Sequence, residues 1–315
     1  MNSSPLAYQE RALAFDCEGQ ALLGIVSEPK AGSARATLGV LIIVGGPQYR
    51  AGSHRQFVLQ ARHWASAGYP VLRFDYRGMG DSAGMQRDFE RVSSDIGAAI
   101  SAFMSACPDL EGVVLWGLCD AASAALLYVH EHREDRRVKA LALANPWVRT
   151  AQGLARAQAK HYYLQRLKQP EFWLKLIKGG VGLQALRSLG SNLAALLGRP
   201  AAAADAGAPA SERALGFQDR MALGLRHFKG RSLLLLSGED LTAQEFLDHS
   251  AGSPAWNGLL TASTLKRVDF KDADHTFSGP GSLQAMNSVC LDWLLSLGRP
   301  GAAVSDPPSL AKATR

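Results

Sequence analysis

The chain has 315 residues, 47% hydrophobic and 20% charged, with 34 Lys and Arg against 28 Asp and Glu for a net charge of +6. So large an apolar fraction excludes intrinsic disorder as the overall state and supplies a sizeable core. A leader-like apolar segment and any run of about 18 apolar residues are lacking, so a soluble, cytoplasmic protein is expected.

Two β-like runs at 12–17 and 21–27, separated by Glu18-Gly19, predict a hairpin. The unbroken apolar run at 37–44 suits a strand covered on both faces, and it ends in Gly45-Gly46-Pro47. Helical spacing follows at 54–67, a short strand at 71–74, then the polar, glycine-rich stretch Asp75 to Ser82. A helix at 92–106, a strand at 112–116, a helix at 119–130 and a strand at 138–144 continue the alternation. Strand–helix alternation of this kind predicts an α/β fold with a mostly parallel central sheet flanked by helices.

The alternation stops at Asn145-Pro146-Trp147. Residues 152–197 carry helical spacing divided by Pro170, and 199–210 is an Ala/Pro-rich connector expected to be mobile. Strands at 232–237 and 265–270 and helices near 243–249 and 282–297 resume the pattern. The expected organisation is a discontinuous core, 1–146 and 229–298, a helical cap insertion, 147–228, and a disordered tail, 299–315.

Four cysteines, Cys17, Cys107, Cys119 and Cys290, lie far apart without a CxxC pair, so neither a metal site nor a disulfide framework is expected. Cys119 alone has a chemical context. A buried strand runs through Gly117-Leu118-Cys119-Asp120-Ala121 straight into a helix, the layout of the G-x-S-x-G nucleophile elbow. Small residues flank a nucleophile there because the turn is tight, and the helix N-terminus favours a thiolate. Taken alone the motif is weak, since a free cysteine is most often a small buried hydrophobe. Two later features add weight. Asp240 follows the strand at 232–237, and His275 follows the strand at 265–270, giving the order nucleophile, acid, histidine. Glu239 competes with Asp240 as the acid, and Asp274 less so, being on the histidine's own loop. Arg77 or Asp81 would serve as a substrate contact or, as the more ordinary reading, as a pin between loops.

The pattern over these core segments resembles the α/β-hydrolase superfamily. Residues 45–55 together with Trp116-Gly117-Leu118-Cys119-Asp120 resemble more narrowly the exosortase A system-associated hydrolase 1 group, linked to exopolysaccharide and protein-sorting loci. The resemblance implies a cofactor-free Cys119–His275–Asp240 triad acting on an ester or thioester, with serine replaced by cysteine as in the dienelactone-hydrolase branch. One oxyanion donor would be the backbone N–H of Asp120. The second would come from Gly46, Gln48 or a neighbour, because Pro47 has no N–H. Acyl transfer to another acceptor, or an inactive interaction protein on the same fold, are the alternatives.

The insertion mixes aromatics with basic residues. Between positions 149 and 187 eight Lys or Arg face one acid, Glu171, a local +7 that leaves the rest of the chain at −1. Amphipathic helices packed by their aromatic faces would explain part of this. The sharper expectation is a cap for a small-molecule or lipid-linked acyl ester, with Tyr162 and Trp173 as candidate contacts and a peripheral membrane face. Nucleic acid is not expected, because no recognisable binding module accompanies the basic residues.

Overall fold

The computed structural model describes residues 7–46, 48–149, 215–299 and 301. Eight strands, β1 (Tyr8–Cys17), β2 (Gln20–Pro29), β3 (Leu38–Ile43), β4 (Val71–Phe74), β5 (Gly112–Leu118), β6 (Val138–Ala144), β7 (Arg231–Ser237) and β8 (Leu265–Phe270), form one sheet. Their order is β1-β2-β4-β3-β5-β6-β7-β8. β1 and β2 pair antiparallel through the turn Glu18-Gly19, with both residues at positive φ, as a two-residue hairpin turn requires. β2 meets β4 antiparallel, and every later pairing is parallel.

The apolar runs are unbroken because both faces of the sheet are covered. Leu41 and Ile43 of β3, Leu115 of β5, and Leu234 and Leu236 of β7 point into one core. Val40 and Ile42, Val114 and Trp116, and Leu233 and Leu235 point into the other. The first is closed by α2 (Ser93–Ala106) and α3 (Asp120–Glu131), the second by α1 (Gln56–Ser66) and α6 (Ser282–Leu297). At about 1.5–3 kcal/mol for each large aliphatic side chain buried, this alternation specifies the strand register. Edge strand β8 carries Lys266, Arg267 and Asp269 on its sequence, charges that discourage pairing with another sheet edge.

The chain divides into two compact units, Met1–Val148 with Gly216–Arg315, and Arg149–Leu215. The expected insertion ended at 228, but α4 (Phe217–His227) belongs to the first unit. Its Phe217, Met221, Ala222 and Gly224 are buried, and a Cβ at Gly224 would come within 2.3 Å of the Leu126 carbonyl oxygen of α3. α4 is therefore packed directly on the core. The connector at 199–210 lies outside the described residues, as does most of the tail. Within the tail, Gly301 N–H bonds to Arg35 O at 3.0 Å. Among the described residues no helix is long and apolar enough to cross a membrane.

Candidate active site

Cys119 stands between β5 and α3 with φ 63° and ψ −127°. A non-glycine residue there is strained by about 1–3 kcal/mol, and the surroundings hold it in place. Its N–H bonds to Ala144 O of β6 at 2.9 Å, and its carbonyl accepts from Ala122 N–H at 3.0 Å and Trp147 N–H at 3.3 Å. Gly117 cannot be larger, because a Cβ would lie 2.5 Å from the Ala121 carbonyl carbon. Cys119 is half-buried, while Cys17, Cys107 and Cys290 are buried. Burial pushes those three thiols up, Cys290 to about 12, which leaves them inert.

Parallel neighbours β5, β6, β7 and β8 end on the same side of the sheet, which brings the loops after them together. His275, in the loop after β8, places Nδ1 2.7 Å from Asp240 Oδ2, and its ring interacts with Cys119. Those two contacts, Asp240 first, outweigh burial and raise the imidazole to about 10. Asp240 is the N-cap of α5 (Leu241–Gly252), where its Oδ1 accepts from Thr242 N–H at 2.9 Å. Burial alone would raise its carboxyl, but the His275 contact and the Thr242 N–H bring it below the ordinary value. Glu239 is exposed. Asp274 Oδ1 accepts from Thr276 N–H at 3.0 Å and Ser278 N–H at 2.9 Å, so it folds its own loop.

Asp120, whose backbone N–H is a candidate oxyanion donor, directly follows Cys119 and opens α3. Gly46 N–H is already engaged by Asp120 Oδ2 at 2.8 Å. The half-buried Gln48 has a side-chain Oε1 out of solvent with no hydrogen-bond partner. Arg77, a candidate substrate contact, points elsewhere: its guanidinium clamps Asp95 at 2.9 and 3.0 Å, bonds Glu18, and is buried. Asp81 bonds Tyr49 and Arg50, and Asp75 bonds Arg50, so the charges of the 75–82 loop answer one another. Tyr162 and Trp173 lie outside the described residues.

Asn145 was not singled out in the sequence. At φ 44° it is buried at the end of β6. Its Nδ2 donates to Ser237 Oγ at 2.9 Å and His275 O at 3.3 Å, and its Oδ1 accepts from Ser237 N–H at 2.9 Å. It thus ties β6 and β7 to the backbone of the histidine. The available signal was an Asn directly before Pro at a strand end, since Asn tolerates positive φ. His54, also at positive φ, brings Nε2 to 3.2 Å from Thr276 O on that loop. Among the described residues no group of three or more His, Cys, Asp or Glu is arranged to hold a metal ion.

An eight-stranded, mostly parallel sheet with a strained elbow residue after a central strand, and an acid and a histidine after later strands, defines the α/β-hydrolase fold. Residues 37–193, just under half of the chain, match the family model described as serine aminopeptidase, S33. Among solved structures it is similar to the ferulic-acid-bound Est1E of Butyrivibrio proteoclasticus, with 15% identity, TM-score 0.54, and coverage of 90% of this chain and 98% of that one. An esterase of Pyrococcus furiosus shares 16% identity and a TM-score of 0.58 over 94% of each chain. A dienelactone hydrolase of Anabaena variabilis shares 16% identity and a TM-score of 0.56 over 92% of this chain and 98% of that one. These likenesses are of fold. No curated protein matches the chain.

Proposed function

We propose that the protein hydrolyses an ester or thioester through a covalent intermediate on Cys119. The observation that carries this reading is the Asp240–His275 hydrogen bond at 2.7 Å, on a ring that also interacts with Cys119 at the strained elbow. Asp240 holds the ring and stabilises its positive form. The thiolate attacks the acyl carbon, and the carbonyl electron pair moves onto oxygen, where the Asp120 N–H donates. As the tetrahedral species collapses, the C–O or C–S bond to the leaving group breaks and that group takes the proton of His275. Neutral His275 then takes a proton from water, hydroxide attacks the thioester, and the acid departs as Cys119 is regenerated. Asn145 is a positioning residue for His275.

Resemblance of residues 45–55 and 116–120 to the exosortase A system-associated hydrolases supports a setting in exopolysaccharide or protein-sorting loci. The local +7 between 149 and 187 supports an anionic or lipid-linked acyl substrate, presented near a membrane face. The test is release of product from short p-nitrophenyl esters and acyl thioesters. Cys119→Ala and His275→Ala should each lower kcat/KM by at least about 10²–10⁴-fold. Turnover by a folded Cys119→Ala protein within tenfold of the native rate would overturn the assignment.

A further inference from the structure

One of the donors that an oxyanion could use, the Gly46 N–H, is taken by a side chain of the protein itself. Asp120 Oδ2 takes the Gly46 N–H at 2.8 Å, and the N–H groups of Ala121 and of Asp120 also act on the carboxylate. Its other oxygen, Oδ1, is out of solvent and has no hydrogen-bond partner. Gly45 makes room for it, since a Cβ there would stand 2.1 Å from Oδ1. A negative oxygen that holds the Gly46 N–H has the charge of an oxyanion and takes a donor that an oxyanion could use, so the two compete for it.

We propose that Asp120 gates the oxyanion site: its ionised carboxylate fills that site and excludes anions, and acyl transfer at Cys119 proceeds when Asp120 is protonated and yields the donors to the substrate carbonyl. The acyl-transfer part rests on the function proposed above. Physical balance favours such a gate. Burial pushes the Asp120 carboxyl up, against the pull of the three N–H groups and of His275. Among the described residues, the charged and titratable groups around it include His275 with Asp240 behind it, Cys119, and Tyr76, which feels the Asp120 charge. Protonation removes the attraction to the donors and leaves the carboxylic acid replaceable by a neutral carbonyl oxygen. The gate thereby selects acyl groups with no negative charge next to the reacting carbon.

Two variants, Asp120→Asn and Asp120→Ala, test it, both checked for folding by circular dichroism. Acylation of Cys119 by p-nitrophenyl acetate is followed between pH 5 and pH 8. At pH 8 the variants should acylate at least tenfold faster than the native protein, and the gap should narrow as the pH is lowered. Equal or slower acylation at pH 8 in both variants overturns the gate. The second readout needs no acyl chemistry: the ratio of Cys119 alkylation rates by iodoacetate and iodoacetamide, which cancels the thiolate population. The native protein should disfavour iodoacetate, and the variants should raise the ratio by about tenfold. An unchanged ratio overturns the gate. A raised ratio in proteins that never acylate keeps the gate and sinks the hydrolase reading instead.

Discussion

Asp240 has two jobs that can be separated by one atom's chemistry. Oδ2 faces His275 Nδ1 at 2.7 Å, while Oδ1 caps α5 through Thr242 N–H at 2.9 Å. Asparagine caps helices as well as aspartate does, so Asp240→Asn removes the charge and leaves the cap. His275 rises from 6.5 to about 10, which at about 1.36 kcal/mol per unit would amount to about 5 kcal/mol without screening. The His275 side chain is 34% exposed, and solvent screening reduces this to about 1–2 kcal/mol. Because the folded value lies above the unfolded one, the contribution is full below pH 6.5 and is lost as pH rises through about 10. Asp240, lowered on folding, stays ionised throughout that window. Urea unfolding should therefore show Asp240→Asn destabilised by about 1–2 kcal/mol at pH 6 and nearly unchanged at pH 10.5. Asp240→Ala should lose about 1 kcal/mol more at both pH values, the worth of the cap. Ester turnover by Asp240→Asn should fall about 10²–10⁴-fold. Equal destabilisation at pH 6 and pH 10.5, or turnover within a few-fold of native, would refute the reasoning.

Other outcomes follow from the elbow and its supports. Cys119→Gly should be about 1 kcal/mol more stable than Cys119→Ala by chemical denaturation, since glycine relieves φ 63° at some cost in chain entropy, and both should be inactive. Asn145→Ala leaves the Ser237 N–H without its acceptor and frees the His275 carbonyl. It should cost about 2–4 kcal/mol and lower kcat more than it raises KM, in steady-state assays on protein shown to be folded. Asp95→Ala leaves the buried Arg77 guanidinium with Glu18 as its remaining partner and should cost about 3 kcal/mol, seen as a fall in Tm, while leaving kcat of the folded fraction within a few-fold.

Much of the core was legible because its signals are local. The unbroken runs of β3, β5, β6 and β7 reflect a sheet covered on both faces, and Glu18-Gly19 marks a turn that glycine and positive φ demand. Cys119, Asp240 and His275 could be singled out because parallel strands send their following loops to one edge. Less was legible where a residue's partner comes from elsewhere in the chain. Helix α4 follows Gly216, which offers no side-chain cap, so its boundary with the insertion left no mark in the sequence. Arg77 sits in a polar loop suited to substrate binding, yet Asp95 and Glu18 from two other elements claim it. The second oxyanion donor stayed open among Gly46, Gln48 and a neighbour, because nothing in the sequence says that the Asp120 side chain turns back onto Gly46. Asn145 gave only the hint of its place before proline.

The most direct measurement is the intact mass of the protein after brief exposure to a short acyl p-nitrophenyl ester, followed by peptide mapping. The account predicts one acyl group on Cys119, none on Cys17, Cys107 or Cys290, and none in folded Cys119→Ala. An unmodified native protein that turns the ester over, or an adduct that survives Cys119→Ala, would contradict it.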